Sequence, residues 1–231
     1  MRHSRHDVVT TALQVLDRHG LVDLTMRRLG AELGVQPSAL YHHFRDKQSL
    51  LAAVADEILR RHDDVAPVPV VSTAPDRPGD WAAAVSAVCA GLRNAMLAYR
   101  DGADVVATVF AFGMGARTPL TRLVAILRDA GFSAAFADTA ARTLLHFVFG
   151  HTADEQLHLQ ADAAGALLGS TPDATPDAAI PADSVLADAV LADDAGFAVG
   201  LRLIVAGIRA ERAATVPVRP GPCGQSVSST R

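Results

Sequence analysis

Residues 24–51 read LTMRRLGAELGVQPSALYHHFRDKQSLL, a run rich in hydrogen-bonding side chains set between apolar ones. Leu29 and Leu33, then Leu40 and Phe44, recur at four-residue steps, and each pair marks the inward side of a short helix. Gly34 closes the first of these, and Pro37 suits the start of the second, where a fixed φ and a missing N–H cost little. Gln36, Pro37, Ser38, Tyr41 and His42 are then turned away from the apolar stripe. Two short helices joined by a tight turn, the second exposing polar and aromatic groups, form a helix-turn-helix that can enter a major groove. Such a surface recognises base edges and phosphates; it makes and breaks no bonds. Lys47, the only lysine of the chain, stands at the next helix start, where its charge adds to free N–H groups facing an anion.

A second group of residues could do different chemistry. His146, His151 and His158 accompany Asp154 and Glu155, a set of metal-ligand types. Spacings of five and seven residues do not bring two imidazoles side by side on a helix, so no metal site is expected. A metal-assisted hydrolase built on this cluster is the enzymatic alternative. The chain lacks a Gly-rich phosphate loop, a nucleophile elbow and an HExxH pair, and the expectation is a protein that is not an enzyme and has no cofactor.

The elements that must carry these residues are helices. Half of the 231 residues are hydrophobic but only 5% are aromatic, and much of the apolar share is Ala, which favours Ala- and Leu-packed helices over a β-sandwich. The fold class expected is all-α: an N-terminal helix-turn-helix domain of three helices plus a larger helical domain. Periodicity places a helix over 6–19 ended by Gly20, a second beginning after Thr25 as N-cap, a third over 37–44, and a fourth over 47–64 capped by Asp46. Residues 1–64 form the first domain. The proline-rich stretch 65–80 reads as a linker, 81–213 as the second domain, and 214–231 as a disordered tail. Within the second domain, helical patterns cover 81–99, 119–130, 132–168, 184–191 and 195–213; 103–115 is apolar and broken by glycine, and 169–183 is a loop. No apolar run reaches the roughly 18 residues of a membrane span, and the start has no signal-peptide core, so a soluble cytoplasmic protein with no membrane partner is expected. Cys89 and Cys223 lie in unlike surroundings and form neither a disulfide framework nor a zinc site. The net charge is −4, but the first 62 residues carry a slight basic excess and most of the nine histidines. That weak asymmetry argues against an architectural protein binding DNA through many phosphates.

The run 24–51 resembles the DNA-binding domain of the TetR family, in which L-T-x-R-x-L-A-x-x-L-G-V and L-Y-x-H-x-x-x-K-x-x-L-L recur. The resemblance extends through AYRDGADVV (98–106), LRDAGFS (127–133), LHFVFGHTADEQ (145–156) and FAVGLRLIVAGI (197–208), which are similar to the ligand-binding and dimerisation domain of the tetracycline-repressor subgroup. It implies that Arg27 reaches a guanine edge, a pairing the guanidinium fork suits. It implies that Gln36, Pro37, Ser38, Tyr41 and His42 touch bases or nearby phosphates, and that Thr25, Tyr41 and Lys47 anchor phosphates. It implies a homodimer on a palindromic operator, joined through a four-helix bundle from two long helices of each subunit, here 134–160 and 195–213. Phe197, Leu201, Ile204, Val205 and Ile208 form a stripe on the second, with Gly200 and Gly207 allowing close approach.

The subgroup holds a drug and Mg²⁺ chelate, with a histidine on the metal and an acid acting through water. Val106 stands at that histidine's position and Asp154 at the acid's. Asp63 and Val88 replace the drug-contacting His and Asn, Leu92 a core aromatic, and Phe110-Ala111 an Arg-Pro pair. The expected effector is therefore small, apolar or weakly polar, and bound without Mg²⁺. The residues expected to line its site are Val88, Leu92, Met96, Val106, Phe110, Phe112, Met114, His146, Phe147 and His151, with His62 near the hinge. The function expected is a dimeric, ligand-responsive transcriptional repressor released from DNA by that effector; the alternative inside the family is a tetracycline-type repressor with an altered pocket.

Overall fold

The computed structural model describes residues 3–65, 80–163 and 194–215, and among them every regular element is a helix. The N-terminal domain comprises α1 (Arg5–Asp23), α2 (Met26–Leu33), α3 (Pro37–Leu40) and α4 (Lys47–Val65). The larger body comprises α5 (Asp80–Leu97), α6 (Gly102–Ala111), α7 (Thr118–Asp129), α8 (Ala134–Ala163) and α9, the helix Asp194–Thr215. The expected helix at 184–191, the loop 169–183, the linker between α4 and α5 and the tail beyond Thr215 lie outside the described residues. No single described helix is long and apolar enough to cross a membrane.

Local chemistry sets the helix ends. Ser4 and Asp7 cap α1 reciprocally: Asp7 N–H donates to Ser4 Oγ at 3.1 Å, and Ser4 N–H donates to Asp7 Oδ2 at 2.8 Å. Gly20, at φ 78°, interrupts the helix where the sequence predicts its end, and one further turn carries the chain to Asp23. Thr25 caps α2 by accepting from Arg28 N–H at 3.1 Å, and Gly34 closes it at φ 67°. At the start of α4, Asp46 Oδ1 accepts from Ser49 N–H at 2.7 Å while Asp46 N–H donates to Ser49 Oγ at 3.3 Å.

One helix differs from expectation. α3 ends at Leu40 and does not run to Phe44. His42 N–H donates to Ala39 O at 3.4 Å and His43 N–H to Leu40 O at 2.9 Å, which are three-residue steps that wind the chain more tightly than an α-helix. So short a helix has no stability of its own. Phe44 N–H still donates to Leu40 O at 3.0 Å, a four-residue step, and the Phe44 side chain, 1% exposed, enters the core with Leu40.

The N-terminal core is Val8, Ala12, Leu13, Leu16, Leu24, Leu29, Leu40, Phe44, Leu50, Val54 and Ile58, all buried. At its edge Glu57 of α4 is buried and accepts from Arg60 Nε and Nη2 and from Arg61 Nε, each at 2.8 Å. The Arg60 hydrogen bonds, with help from Arg61 and against the opposing effect of burial, hold the Glu57 carboxyl down to about 2. A carboxyl lowered on folding stabilises the fold above its ordinary value of 4.5 and ceases to do so as pH falls towards 2. Linkage puts this at on the order of 2–3 kcal/mol at neutral pH, with about 2 kcal/mol lost between about pH 7 and pH 3. Urea unfolding of Glu57→Gln should therefore show a shallower acid loss than wild type, and the two stabilities should converge only as pH approaches about 2.

In the larger body, α8 buries Ala137, Ala140, Ala141, Leu144, Leu145, Val148, Phe149, Thr152 and Gln156 along one face. α5, α6 and α7 pack on that face, and α6 also packs on α4. Burial pushes the Cys89 thiol up to about 12, so it remains a protonated, hydrophobic side chain in α5.

Candidate nucleic-acid interface and effector core

Thr25, Arg27, Gln36, Ser38, Tyr41 and His42 are all exposed, while Pro37 and Lys47 are half-buried. The fold turns them outward by turning Leu29, Leu40 and Phe44 inward. The Thr25 hydroxyl spends an acceptor position on the α2 cap and keeps its O–H to donate. Gln36 precedes α3 without capping it, so its amide is not committed to the helix end. Tyr41 is a large aromatic left 53% exposed, which on a surface without a partner is unfavourable and at a DNA interface is useful. Arg45 pairs with Asp46 through Nε at 3.1 Å, which leaves Lys47 as the cation at the first residue of α4.

The expected effector-lining residues fall into separate groups. Val88, Leu92, Met96, Val106 and Phe110 are buried in the interior of the larger body. Phe110 meets Phe149 with ring centres 5.3 Å apart. Phe147 and His151 instead join Phe197 of α9, with centroid separations of 5.5 and 5.4 Å to that ring. Phe112 is 76% exposed and His146 is exposed, so this structure does not bring them to the other residues. The α6 end explains Phe112: the chain leaves the helix at Gly113, φ 69°, before that side chain can turn inward. Met114 lines a solvent-open groove of about 820 Å³ between α1 and α4, together with Arg5, His6, Ala52 and Asp56. His62 lies in α4, and its side chain lies outside the described residues.

The subgroup's metal chelate has no counterpart among these residues. Val106, at the metal-histidine position, is fully buried hydrocarbon, and Asp154 is exposed. The three histidines do not converge either: His146 faces solvent, His151 packs on Phe147 and Phe197, and His158 Nδ1 donates to Asp154 O at 2.7 Å. Among the described residues no three His, Cys, Asp or Glu side chains are placed to hold a metal ion.

Several polar residues that matter to the fold have no motif. Arg93 of α5 is buried; its Nε donates to Glu155 Oε2 of α8 at 2.7 Å and its Nη2 to the other Glu155 oxygen. Its Nη1 reaches Asp194 at the start of α9, and the guanidinium lies 5.1 Å from the Phe197 ring centre. Gln156 Nε2 donates to Met96 O and Tyr99 O at 3.2 and 2.8 Å, and its Oε1 accepts from Ala103 N–H at 2.9 Å, which closes the α5–α6 turn. The signal for Arg93 was available, because it shares a helical face with Cys89, Leu92 and Met96, a polar residue on an apolar stripe.

A small helix-turn-helix domain with an outward polar face, set on a larger helical body, is the architecture of a DNA-reading regulatory protein. Residues 8–54 match the family model for bacterial regulatory proteins of the tetR family, and residues 74–212 match the model for the tetracyclin repressor-like C-terminal domain. The class C tetracycline repressor protein of Escherichia coli is 34% identical over 217 residues, covering 91% of this chain and 93% of that one. The crystal structure of Mycobacterium smegmatis BioQ is 38% identical, with a TM-score of 0.67, covering 90% of this chain and 99% of that one. BioQ with its double-stranded DNA operator matches at 36% identity and a TM-score of 0.65 over 90% of this chain and 99% of that one. The Q116A variant of Acinetobacter baumannii TetR with minocycline matches at 27% identity and 0.62, covering 91% of this chain and 98% of that one. The chain belongs to the TetR family of bacterial regulatory proteins.

Proposed function

We propose that this chain is a homodimeric transcriptional repressor that holds a palindromic operator through two copies of the α2–α3 unit and releases it when a small, largely apolar effector enters the larger body. The observation that carries the reading is the set of exposed polar groups that α2, α3 and the turns that follow them present, Arg27, Gln36, Ser38, Tyr41 and His42, flanked in sequence by Thr25 and Lys47. Likeness to a structure holding operator DNA and to one holding minocycline supports both halves of the reading. One short helix contacts too few base pairs to single out an operator, so a dimer is required.

The effector half rests on Val88, Leu92, Met96, Val106 and Phe110. They fill the interior, so a ligand settling among them must part α5, α6 and α8. A ligand favours the conformation it binds better, and here that is one in which α6 has moved. α6 packs on α4, which begins at Lys47, and movement therefore reaches the phosphate anchors. The absence of metal donors at Val106 supports an effector that needs no Mg²⁺.

The dimer half rests on α8 and α9. Leu157 is 67% exposed on α8 and Leu203 is 70% exposed on α9, with Val199 one turn before it and Gly207 one turn after, where a Cβ would meet nothing. Gly200, by contrast, is used within the subunit, since a Cβ there would stand 2.5 Å from the Phe147 ring. Leu203→Glu should weaken self-association at least about tenfold in sedimentation, because a carboxylate desolvated in an apolar contact is costly. An unchanged dimer would remove α9 from the interface. The reading as a whole is tested by electrophoretic shift of DNA flanking the chain's own gene. A complex that resists excess competitor and dissolves with effector is expected, and binding that competitor DNA abolishes on every fragment would overturn it.

A further inference from the structure

Two carboxylates tie the N-terminal domain to the larger body, one at each end of α6. At the C-terminal end Asp56 of α4 accepts from Ala116 N–H at 2.8 Å, and a Cβ on Gly115 would stand 3.2 Å from Asp56 Oδ1. At the N-terminal end the direction reverses. Asp101, on the larger body, accepts from Leu21 N–H of α1 at 2.7 Å, and a Cβ on Gly20 would stand 2.7 Å from the same Oδ2. Its other oxygen accepts from Gln160 Nε2 of α8 at 2.8 Å, and the neighbouring Arg100 N–H reaches Asp17 Oδ1 at 3.4 Å.

Two further observations mark these contacts as more than chance neighbours. Asp101 is the residue before α6, where an aspartate ordinarily accepts from the first turn of its own helix. Here it makes no such bond and turns its carboxylate to α1 and α8 instead. Asp101, at φ 54°, and Ala116, at φ 55°, are also the only non-glycine residues with left-handed backbone among those described. That conformation is tolerated by aspartate but unfavourable for alanine, so at Ala116 it persists only where the surroundings enforce it. Both residues stand where the two domains grip each other.

We propose that Asp101 is a positioning residue: by clasping the end of α1 it fixes, together with Asp56, the angle at which the larger body presents the DNA-reading helices. This rests on the regulator reading above and deepens it. Asp56, with the packing of α4 on α5 and α6, holds the N-terminal domain along α4. The attachment at Asp101, at the other end of α6, holds α1 as well. Any movement of α6 then reaches α1 as well as α4, and the Gln160 bond carries displacement of α8 to the same clasp.

Asp101→Gly removes the carboxylate and relaxes the left-handed backbone, so it tests the clasp without adding strain. Asp101→Asn keeps an acceptor for Leu21 N–H, tolerates the same backbone and can bond Gln160 with its amide turned. Full-length protein would be titrated on its operator and on versions with the half-sites one base pair closer and one further apart. Amide hydrogen exchange over residues 21–24 would be followed in parallel. Wild type and Asp101→Asn should prefer one spacing by at least about tenfold; Asp101→Gly should compress that preference below about threefold and speed exchange at Leu21 at least about tenfold. Retention of the full preference in Asp101→Gly, or an Asp101→Asn protein as loose as Asp101→Gly, would overturn the inference. If wild type binds no operator, the regulator reading falls and the exchange arm decides: faster exchange in Asp101→Gly supports the clasp, and unchanged protection at Leu21 overturns it.

Discussion

Replacing Arg27 by alanine should weaken operator binding by roughly 30-fold to 10⁴-fold while the protein stays folded. The size follows from symmetry. A bidentate arginine–guanine contact discriminates by about 1–3 kcal/mol, and a dimer makes it twice, once in each half-site. Arg27 is exposed on α2, so its loss opens no cavity and orphans no buried partner; the thermal midpoint should stay within a degree or two, in keeping with the roughly ±0.5 kcal/mol of surface changes. The loss should also be selective. Titration on operators altered at one base pair per half-site should show Arg27→Ala indifferent to one position that wild type reads. Lys47→Ala should behave differently, weakening every sequence alike and lowering the salt slope by about two for the dimer, one per half-site. An Arg27→Ala protein that binds its operator as tightly as wild type would assign Arg27 to the solvated surface.

What the sequence made legible was whatever leaves a periodic or positional mark. α2 was readable because Thr25 and Gly34 bracket it and because Leu29 and Leu33 recur at a helical step, of which Leu29 is buried and Leu33 half-buried. The outward set from Gln36 to His42 followed by subtraction, once Leu40 and Phe44 were placed inside. The end of α3 was not legible, because four residues and eight residues of helix expose the same side chains and differ only in how tightly the chain winds. The clasps at Asp56 and Asp101 were hidden for a different reason. Each joins a side chain to a backbone N–H some 60 to 80 residues away, and a backbone donor has no residue type to betray it. The residues expected to line the effector site show the limit of reading by position. Phe147 and His151 share a helix with Phe149, yet they face α9 while Phe149 faces Phe110, a division set by three-dimensional packing.

The largest stability effect is expected at Arg93, outside every motif. Its guanidinium, 8% exposed, is bound by the Glu155 carboxylate, 13% exposed, with Asp194 on the outer side. Arg93→Ala leaves the Glu155 charge buried without its partner and removes the guanidinium from the Phe197 ring, a change that costs about 3–5 kcal/mol. At about 2–4 °C per kcal/mol for a chain of this size, the thermal midpoint should fall by roughly 6–20 °C. Asp194 is a weak partner by comparison, because its side chain is 89% exposed and water screens it; Asp194→Asn should cost less than about 1 kcal/mol. The informative variant is the double replacement Arg93→Met with Glu155→Met. Exchanging both members of a buried pair for apolar groups of similar size removes the desolvation penalty along with the attraction, and should recover most of the stability lost in Arg93→Ala. A recovered double variant that still dimerises would define the ion pair as one of several ways to hold α5, α8 and α9 together. A stable double variant with weakened dimerisation would mean that Arg93 also sets the geometry of the exposed α8–α9 face, because it is the side chain that ties the beginning of α9 to α5 and α8.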